Sequence, residues 1–363
     1  MSDSIKRFIT CHIPVFICNF KCHYCYISQL KIDHSQGIKP FYTNPKQIAN
    51  DLSVERLGGI CYFNLCADGE TLMHPDIVNL VYSLTKAGHY SDIITNGILT
   101  EKLLDITKQL NDEQKSRLFI KFSFHWLELQ RLNLMQKFVD NVNIIKNAKI
   151  SYSIEITPSD ELIPYIDEIK SFSLKEFGAL PHITVARNEA TEDIELLSKY
   201  SKEDYKKIWQ VFDSPLFNFK ISLFNERRKE FCYAGVQSLE INLKTGDYYQ
   251  CYRGDKLGNL IDYKKPIKFR AIGKCRLPHC FNGHAFLAFG NIRELNTPTY
   301  ADERNRECIN GDNWLQPQVM NFFQTKTSDF DKDFSFAKKA LIYIHNFSRK
   351  ILMKIKPRIR RKK

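Results

Sequence analysis

Short apolar runs alternate with runs of helical spacing over the first two thirds of the chain. Arg7–Phe16 reads as a strand, Gln47–Leu57 as a helix and Gly59–Leu65 as a short apolar strand. His74–Ala87 places Leu80, Leu84 and Ala87 on one helical face, and Asp92–Thr95 is a strand closed by the turn pair Asn96-Gly97. Leu118–Phe124 is a strand between the helices Glu101–Leu110 and Gln130–Lys146. Lys149–Ile156 alternates as a strand does and is followed by Pro158. Glu161–Ser171 is a helix and His182–Val185 a last strand. About six β/α units in this order predict an α/β core, a parallel sheet with helices outside.

Beyond a charged helical linker, Asp193–Val211, the pattern changes. Glu230–Cys308 has five cysteines, many aromatics, frequent turns and little helical periodicity. It reads as a small metal-stabilised module. Phe334–Ile355 returns to helical spacing through Phe336, Ala340, Tyr343, Ile344, Phe347, Ile351, Leu352 and Ile355. Pro357 ends that pattern before the basic stretch Arg358–Lys363. The expected division is a core over 1–215, a Cys-rich module over 216–325 and a basic amphipathic tail over 326–363.

With 43% hydrophobic and 26% charged residues in a chain of 363, the composition is that of a soluble globular protein. No run of about eighteen apolar residues predicts a membrane-spanning helix. Met1–Lys6 leads directly into the first strand and lacks the features of a secretory signal, so a cytoplasmic location is expected. The net charge is +12, but Lys338–Lys363 alone holds eleven Lys or Arg and no acid. The body is therefore nearly neutral, and nucleic acid is not the expected partner along it. The tail suits peripheral contact with an anionic membrane, RNA or an acidic protein surface, or a helix packed on the body with a solvated end.

Eleven cysteines in a reducing compartment point to metal or catalysis rather than to a disulfide framework. They group at Cys11–Cys25 and Cys232–Cys308, with Cys61 and Cys66 between. Cys18-Asn-Phe-Lys-Cys22-His-Tyr-Cys25 has the spacing Cys-x3-Cys-x2-Cys. Three thiolates from one loop can bind three irons of a cubane and leave the fourth iron open. A zinc site drawing on His23, Cys11 or His12 is the alternative.

This motif, after a first strand and with the aromatic Tyr24 before the last cysteine, resembles the radical S-adenosylmethionine (SAM) superfamily. The resemblance implies a partial (β/α)6 barrel and a [4Fe–4S] cluster on Cys18, Cys22 and Cys25 whose open iron is chelated by SAM. It implies reductive cleavage of SAM, hydrogen abstraction from substrate by a 5′-deoxyadenosyl radical, and a reductant such as flavodoxin or ferredoxin. Asn64-Leu-Cys-Ala-Asp68-Gly69-Glu70-Thr71 resembles the family's Gly-Gly-Glu-Pro segment, with Asp68 in place of the first Gly and Thr71 in place of Pro. Gly69, Glu70 and Thr71 then fall at the SAM amino group. As an ordinary strand-to-helix loop, the same segment would use Asp68 or Thr71 as a helix cap. By the same resemblance Tyr24, Asn96, Ser123 and Glu155 lie at SAM contacts, and Val185 lies beside the adenine. Apart from the resemblance, Glu155 reads as the solvent-facing residue of an alternating strand.

The order Cys232, Gly246-x4-Cys251, Gly258-Asn259, Cys275, Cys280 resembles the SPASM or shorter twitch module of radical SAM proteins. It implies a hairpin turning at Gly246 and a second, auxiliary [4Fe–4S] cluster on Cys232, Cys251, Cys275 and Cys280. A full SPASM pattern needs about seven cysteines, so the twitch form is the better match. Cys308 is either a substitute ligand or a free thiol, and a zinc ribbon using His279 or His284 is the alternative. The expected function is a radical SAM enzyme acting on a peptide or dehydrogenating a sugar-like metabolite. The competing reading is a non-catalytic zinc protein that contacts nucleic acid through its tail.

Overall fold

The computed structural model describes residues 4–30, 32–190 and 194–346. β1 (Arg7–Ile13), β2 (Cys61–Ala67), β3 (Tyr90–Thr95), β4 (Leu118–Ser123), β5 (Ser151–Ile156) and β6 (His182–Ile183) run parallel, each paired with the next. Between them run α1 (Tyr26–Gln29), α2 (Pro45–Asp51), α3 (Val54–Leu57), α4 (Ile77–Lys86), α5 (Thr100–Gln109), α6 (Asp112–Lys115), α7 (Trp126–Arg131), α8 (Met135–Asn147) and α9 (Ile166–Phe177). This is the expected α/β core, with local differences. The helix expected over 47–57 is two, because Ser53 accepts a hydrogen bond from Arg56 N (3.3 Å) and caps a new turn. The helix expected at 161–171 begins as a 3₁₀ turn, Asp160–Tyr165, with Pro164 inside it.

Strand side chains alternate between two faces. Ile9, Phe63, Ile93, Ile120 and Ile154 lie in the apolar core that also holds Leu80 and Leu84 of α4. The other face carries Phe8, Tyr62, Tyr90 and Phe119 at the strand starts. Thr10, Asn64, Lys121 and Glu155 follow further along, bordering a cavity inside the barrel.

After β6 come β7 (Arg187–Asn188) paired with β8 (Glu195–Leu196), then α10 (Lys202–Trp209) and α11 (Pro215–Leu223). The Cys-rich region contributes β9 (Phe231–Cys232), β10 (Ser238–Asn242), β11 (Asp247–Tyr249), β12 (Lys256–Asn259), β13 (Gly273–Lys274), α12 (Gly283–Phe286), α13 (Tyr300–Arg304) and α14 (Pro317–Phe323). β10 pairs with β1 in parallel, and β11 and β12 add antiparallel strands, so one sheet runs β12-β11-β10-β1-β2-β3-β4-β5-β6 among the described residues. The Cys-rich region therefore extends the core sheet. Its later helices also close the barrel at the strand starts. Phe289, Tyr300, Phe322 and Phe323 pack on Phe8, Tyr62, Tyr90 and Phe119, with Tyr90 and Phe322 stacked at 3.6 Å between centroids. Such ring pairs contribute about 0.5–1.5 kcal/mol beyond their burial. This plug leaves the opposite end, the C-terminal ends of the strands, for a site.

Of the tail, residues 336–346 are helical. Tyr343 packs on Phe231, and Asn346 Nδ2 donates to Ile272 O (3.0 Å), so this part rests on the Cys-rich region. The remainder of the expected amphipathic helix and the basic end lie outside the described residues. No described helix is long and apolar enough to cross a membrane.

Candidate functional site

The loop after β1 is anchored through its aromatic residues. Phe20 and Tyr24 are buried. Tyr24 Oη lies 2.9 Å from His125 Nδ1, and Phe20 meets the same ring edge-on at 5.7 Å. Lys21 N donates to Glu128 Oε2 (3.1 Å), and Cys25 N donates to Cys22 O (3.2 Å) before α1 begins. Burial lowers the His125 pKa to about 4, which keeps it neutral. With its rings tied to the β4–α7 segment, the loop presents Cys18, Cys22 and Cys25 to a cavity of about 590 Å³. Burial pushes the Cys22 thiol up to about 12, with the neighbouring Cys25 and Cys18 adding to it. Burial also raises Cys18.

The facing wall is the exit of β2. A Cβ on Gly69 would lie 1.9 Å from the Ile17 carbonyl oxygen, which accepts from Glu70 N at 3.0 Å. Two backbones meet there, and no side chain fits between them. Glu70 is buried with both oxygens engaged. Oε1 accepts from Leu72 N (3.0 Å) and Thr95 Oγ1 (2.7 Å), and Oε2 accepts from Asn96 N (2.8 Å). Burial raises its carboxyl pKa against those three donors. Glu70 therefore caps the following 3₁₀ turn, Thr71–Met73, and ties the β2 exit to the tip of β3. Neither Asp68 nor Thr71 is the cap. Asn96 Nδ2 donates onward to Asn19 Oδ1 (2.6 Å) in the cysteine loop. Gly69, Glu70, Thr71, Asn96 and Ser123 all border the cavity of the three thiols.

A second cavity of about 310 Å³ lies inside the barrel. It shares Cys25, Tyr26, Cys66, Ser123 and His125 with the first. Tyr24, Glu155 and Val185 border this inner cavity rather than the outer one. Glu155 does not face solvent, as strand alternation alone suggested. It faces the barrel interior, where Arg304 Nη1 lies 2.5 Å away. Burial alone would raise its carboxyl. Arg304 and then Lys121 override burial and hold it at about 2. Lys121 pairs with Asp92 at 3.0 Å, and Asp92 also accepts from Asn64 Nδ2 (2.6 Å) and the Tyr62 hydroxyl. Arg187 and Lys220 complete the cationic lining. Sequence reasoning missed these cations and His125. The available signals were a lysine inside the apolar run Leu118–Phe124 and another in the apolar stretch Phe217–Phe224.

The four thiols expected to hold a second centre come from four separate segments. Cys232 is on β9, opposite Gly273 of β13, and Cys275 follows β13. Cys251 follows β11, at the end of the hairpin whose turn holds Gly246 at φ 73°. Cys280 precedes α12, and its carbonyl accepts from Gly283 N (3.0 Å). Asn259 Nδ2 locks the hairpin through Asp247 Oδ1 (2.5 Å) and Thr245 O (2.8 Å). Gly258 makes room for the Tyr248 ring, since a Cβ there would meet Tyr248 Oη at 2.5 Å. Burial and the charges of Cys232, Cys251 and Cys275 together hold the Cys280 thiol well above its ordinary value. Burial pushes Cys232 up to about 12. Among the described residues no three His, Cys, Asp or Glu side chains meet closely enough to hold a single metal ion. A narrow crevice bordered by Arg187, Lys220, Phe281, His284 and Cys280 adjoins the barrel cavity on this side. Cys308 stands apart, packed on Gly178 with its Sγ donating to Phe177 O (3.5 Å). His279 Nδ1 accepts from Asn225 N (3.1 Å), and His284 borders the barrel cavity.

Residues 13–123 match the family model of the Radical SAM superfamily. No curated protein matches the chain. Among solved structures, the chain is similar to Streptococcus suis SuiB bound to S-adenosylmethionine, at 15% identity and a TM-score of 0.48. The match covers 73% of this chain and 63% of that one. It is also similar to native anSMEcpe with bound AdoMet and Kp18Cys peptide, at 15% identity and a TM-score of 0.49, covering 70% of this chain and 78% of that one. The chain thus spans about 63% of the length of SuiB.

Proposed function

We propose, from the premise that residues 13–123 form a radical SAM domain, that this chain is a radical SAM enzyme whose substrate shares the barrel cavity with the ribose or adenine side of SAM. One observation carries the reading. Cys18, Cys22 and Cys25 share a cavity with Gly69, Glu70, Thr71, Asn96 and Ser123 at the C-terminal ends of parallel strands. The donor set fits a [4Fe–4S] cluster with one open iron. Desolvated thiols that repel one another are poor thiolates until a cationic centre sits among them. When bound there, the cluster and SAM supply an electron and an organic radical able to abstract hydrogen.

The chain's own part is to hold and to exclude. Phe20 and Tyr24 fix the cysteine loop on His125. Gly69 and Glu70 set the wall against Ile17 and Asn96. The backbone at Gly69–Thr71 is proposed for the SAM amino group, and Asn96 and Ser123 for its polar portions. Glu155 and Val185, on the inner cavity, are proposed for the ribose or adenine side. Cys232, Cys251, Cys275 and Cys280 are proposed as ligands of one auxiliary [4Fe–4S] cluster in a twitch-like module over 216–325, supported by their mutual charge coupling. Cys308 is proposed as a free thiol. The substrate classes that suit such a module are a peptide or a sugar-like metabolite to be dehydrogenated, with flavodoxin or ferredoxin as reductant.

Anaerobic reconstitution tests the reading. Brown protein with about eight irons, four per cubane, and 5′-deoxyadenosine on adding dithionite and SAM are expected. Colourless protein carrying zinc, or a cluster spectrum indifferent to SAM, would return the chain to a zinc-bound scaffold that contacts nucleic acid through its tail. We also propose peripheral membrane contact by the basic tail. Liposome flotation of the full chain beside one ending at residue 346 tests it, and equal binding by both removes the proposal.

A further inference from the structure

Four cationic side chains border the barrel cavity: Lys121, Arg187, Lys220 and Arg304. Three are answered by carboxylates. Lys121 pairs with Asp92 at 3.0 Å and Arg304 with Glu155 at 2.5 Å. Arg187 Nε donates to Glu189, and its guanidinium lies 4.3 Å from the Tyr26 ring centroid. Lys220 makes no hydrogen bond or ion pair among the described residues.

Its place in the helix makes this unusual. On α11 the exposed positions are Pro215, Asn218 and Ser222, while Leu216, Phe217, Ile221 and Leu223 are buried. Lys220 falls between these faces, half-buried, where it borders both the cavity and the crevice leading to Cys280. Lysines are rarely placed inward without a partner. Burial, and then repulsion from Arg187 and Arg304, lowers its amine pKa to about 7. The remaining acid nearby, Glu303 of α13, is itself driven toward the neutral form by burial. Its oxygens make no hydrogen bond, and it does not border the cavity. Lys220 is thus the one of these four cationic positions that no carboxylate answers.

We propose that the substrate carries a compact anionic group, a carboxylate or a phosphate, which Lys220 and Arg187 hold at the side of the barrel cavity nearest Cys280. This rests on the reading of that cavity as the substrate's place and narrows its substrate class. The rest of the substrate then reaches toward Cys25 and Ser123, where the two cavities join.

The test is isothermal calorimetry on the reconstituted full chain with SAM present, titrated with acetate, inorganic phosphate and neutral acetamide. Saturable binding of acetate or phosphate and none of acetamide is expected, and the preferred anion names the source. Lys220→Met should weaken anion binding by about tenfold or more, and Lys220→Arg should largely restore it. Lys220→Met also replaces an unpaired ammonium by an apolar chain of similar shape, so its Tm should not fall. Equal binding by the wild type and Lys220→Met, binding of neither anion, or a fall in Tm in Lys220→Met would each overturn the assignment. Calorimetry reads anion binding whether or not SAM is cleaved, so a failure of the SAM reading and a failure of this one are separate results.

Discussion

The two thiol groups of this molecule are built in opposite ways. Cys18, Cys22 and Cys25 lie within eight residues of one loop, and the fold's task is to pin that loop, through Phe20 and Tyr24, onto His125. Cys232, Cys251, Cys275 and Cys280 lie within forty-nine residues, and a β-ladder, a hairpin and a helix start must all form before their charges act on one another. The first group is local in its ligands, and only the anchoring of its loop draws on distant segments. The second exists only as tertiary structure. A site of the first kind keeps its ligands together when distant packing weakens, whereas the second should be lost whenever the region that carries it loosens.

Ligand removal should separate the groups most sharply. Cys22→Ala is expected to lower iron by about four per chain and to cut 5′-deoxyadenosine formation by at least about a hundredfold. Cys280→Ala should lower iron by a similar amount yet keep SAM cleavage within about tenfold, while abolishing turnover of the true substrate. Equal loss of SAM cleavage in both variants would erase the distinction.

The next effect concerns the joint between the regions. Arg304, from the C-terminal part, answers Glu155 of β5 inside the barrel. Arg304→Met should cost about 3–5 kcal/mol by urea unfolding, because it strands a buried carboxylate, and adding Glu155→Gln should recover most of that. The carboxyl of Glu155 is held at about 2, below its ordinary value. Its contribution is therefore fully present above about pH 4.5 and is lost as pH falls toward about 2, which acid titration of the iron-free protein can follow.

The glycines give the smallest contrast. Gly69→Ala meets a backbone carbonyl that cannot move aside and should cost about 2–3 kcal/mol in thermal or urea unfolding. Gly258→Ala meets the buried Tyr248 ring, a side chain rather than backbone although its hydroxyl accepts from Lys268 N (2.9 Å), and should cost somewhat less, about 1–2 kcal/mol. A larger loss at Gly258 would show the hairpin to be the stiffer of the two.

The strand order β1 to β6 was legible because strands on which one face is apolar throughout, such as Gly59–Leu65, alternate with amphipathic helices such as α4. The motif at Cys18–Cys25 was legible because its chemistry needs nothing beyond spacing on one loop. Glu155 was the harder case. A polar residue in an alternating strand looks the same whether it faces water or the inside of a barrel, and Arg304, which decides the matter, lies 149 positions away. Lys121 and Lys220 were passed over for a related reason: a single charge in an apolar run carries no sign of which cavity it borders.

From the residues alone came the alternation of elements, the three-thiol loop and the concentration of charge in the tail, because each depends on neighbours a few positions apart. Only the folded chain decided that the Cys-rich region continues the core sheet through β10, that its aromatic rings plug the barrel, and that Glu70 holds β3 rather than lying free. Those outcomes depend on contacts between distant segments, and such contacts are set by packing and by the pairing of buried charge, neither of which is written in local sequence.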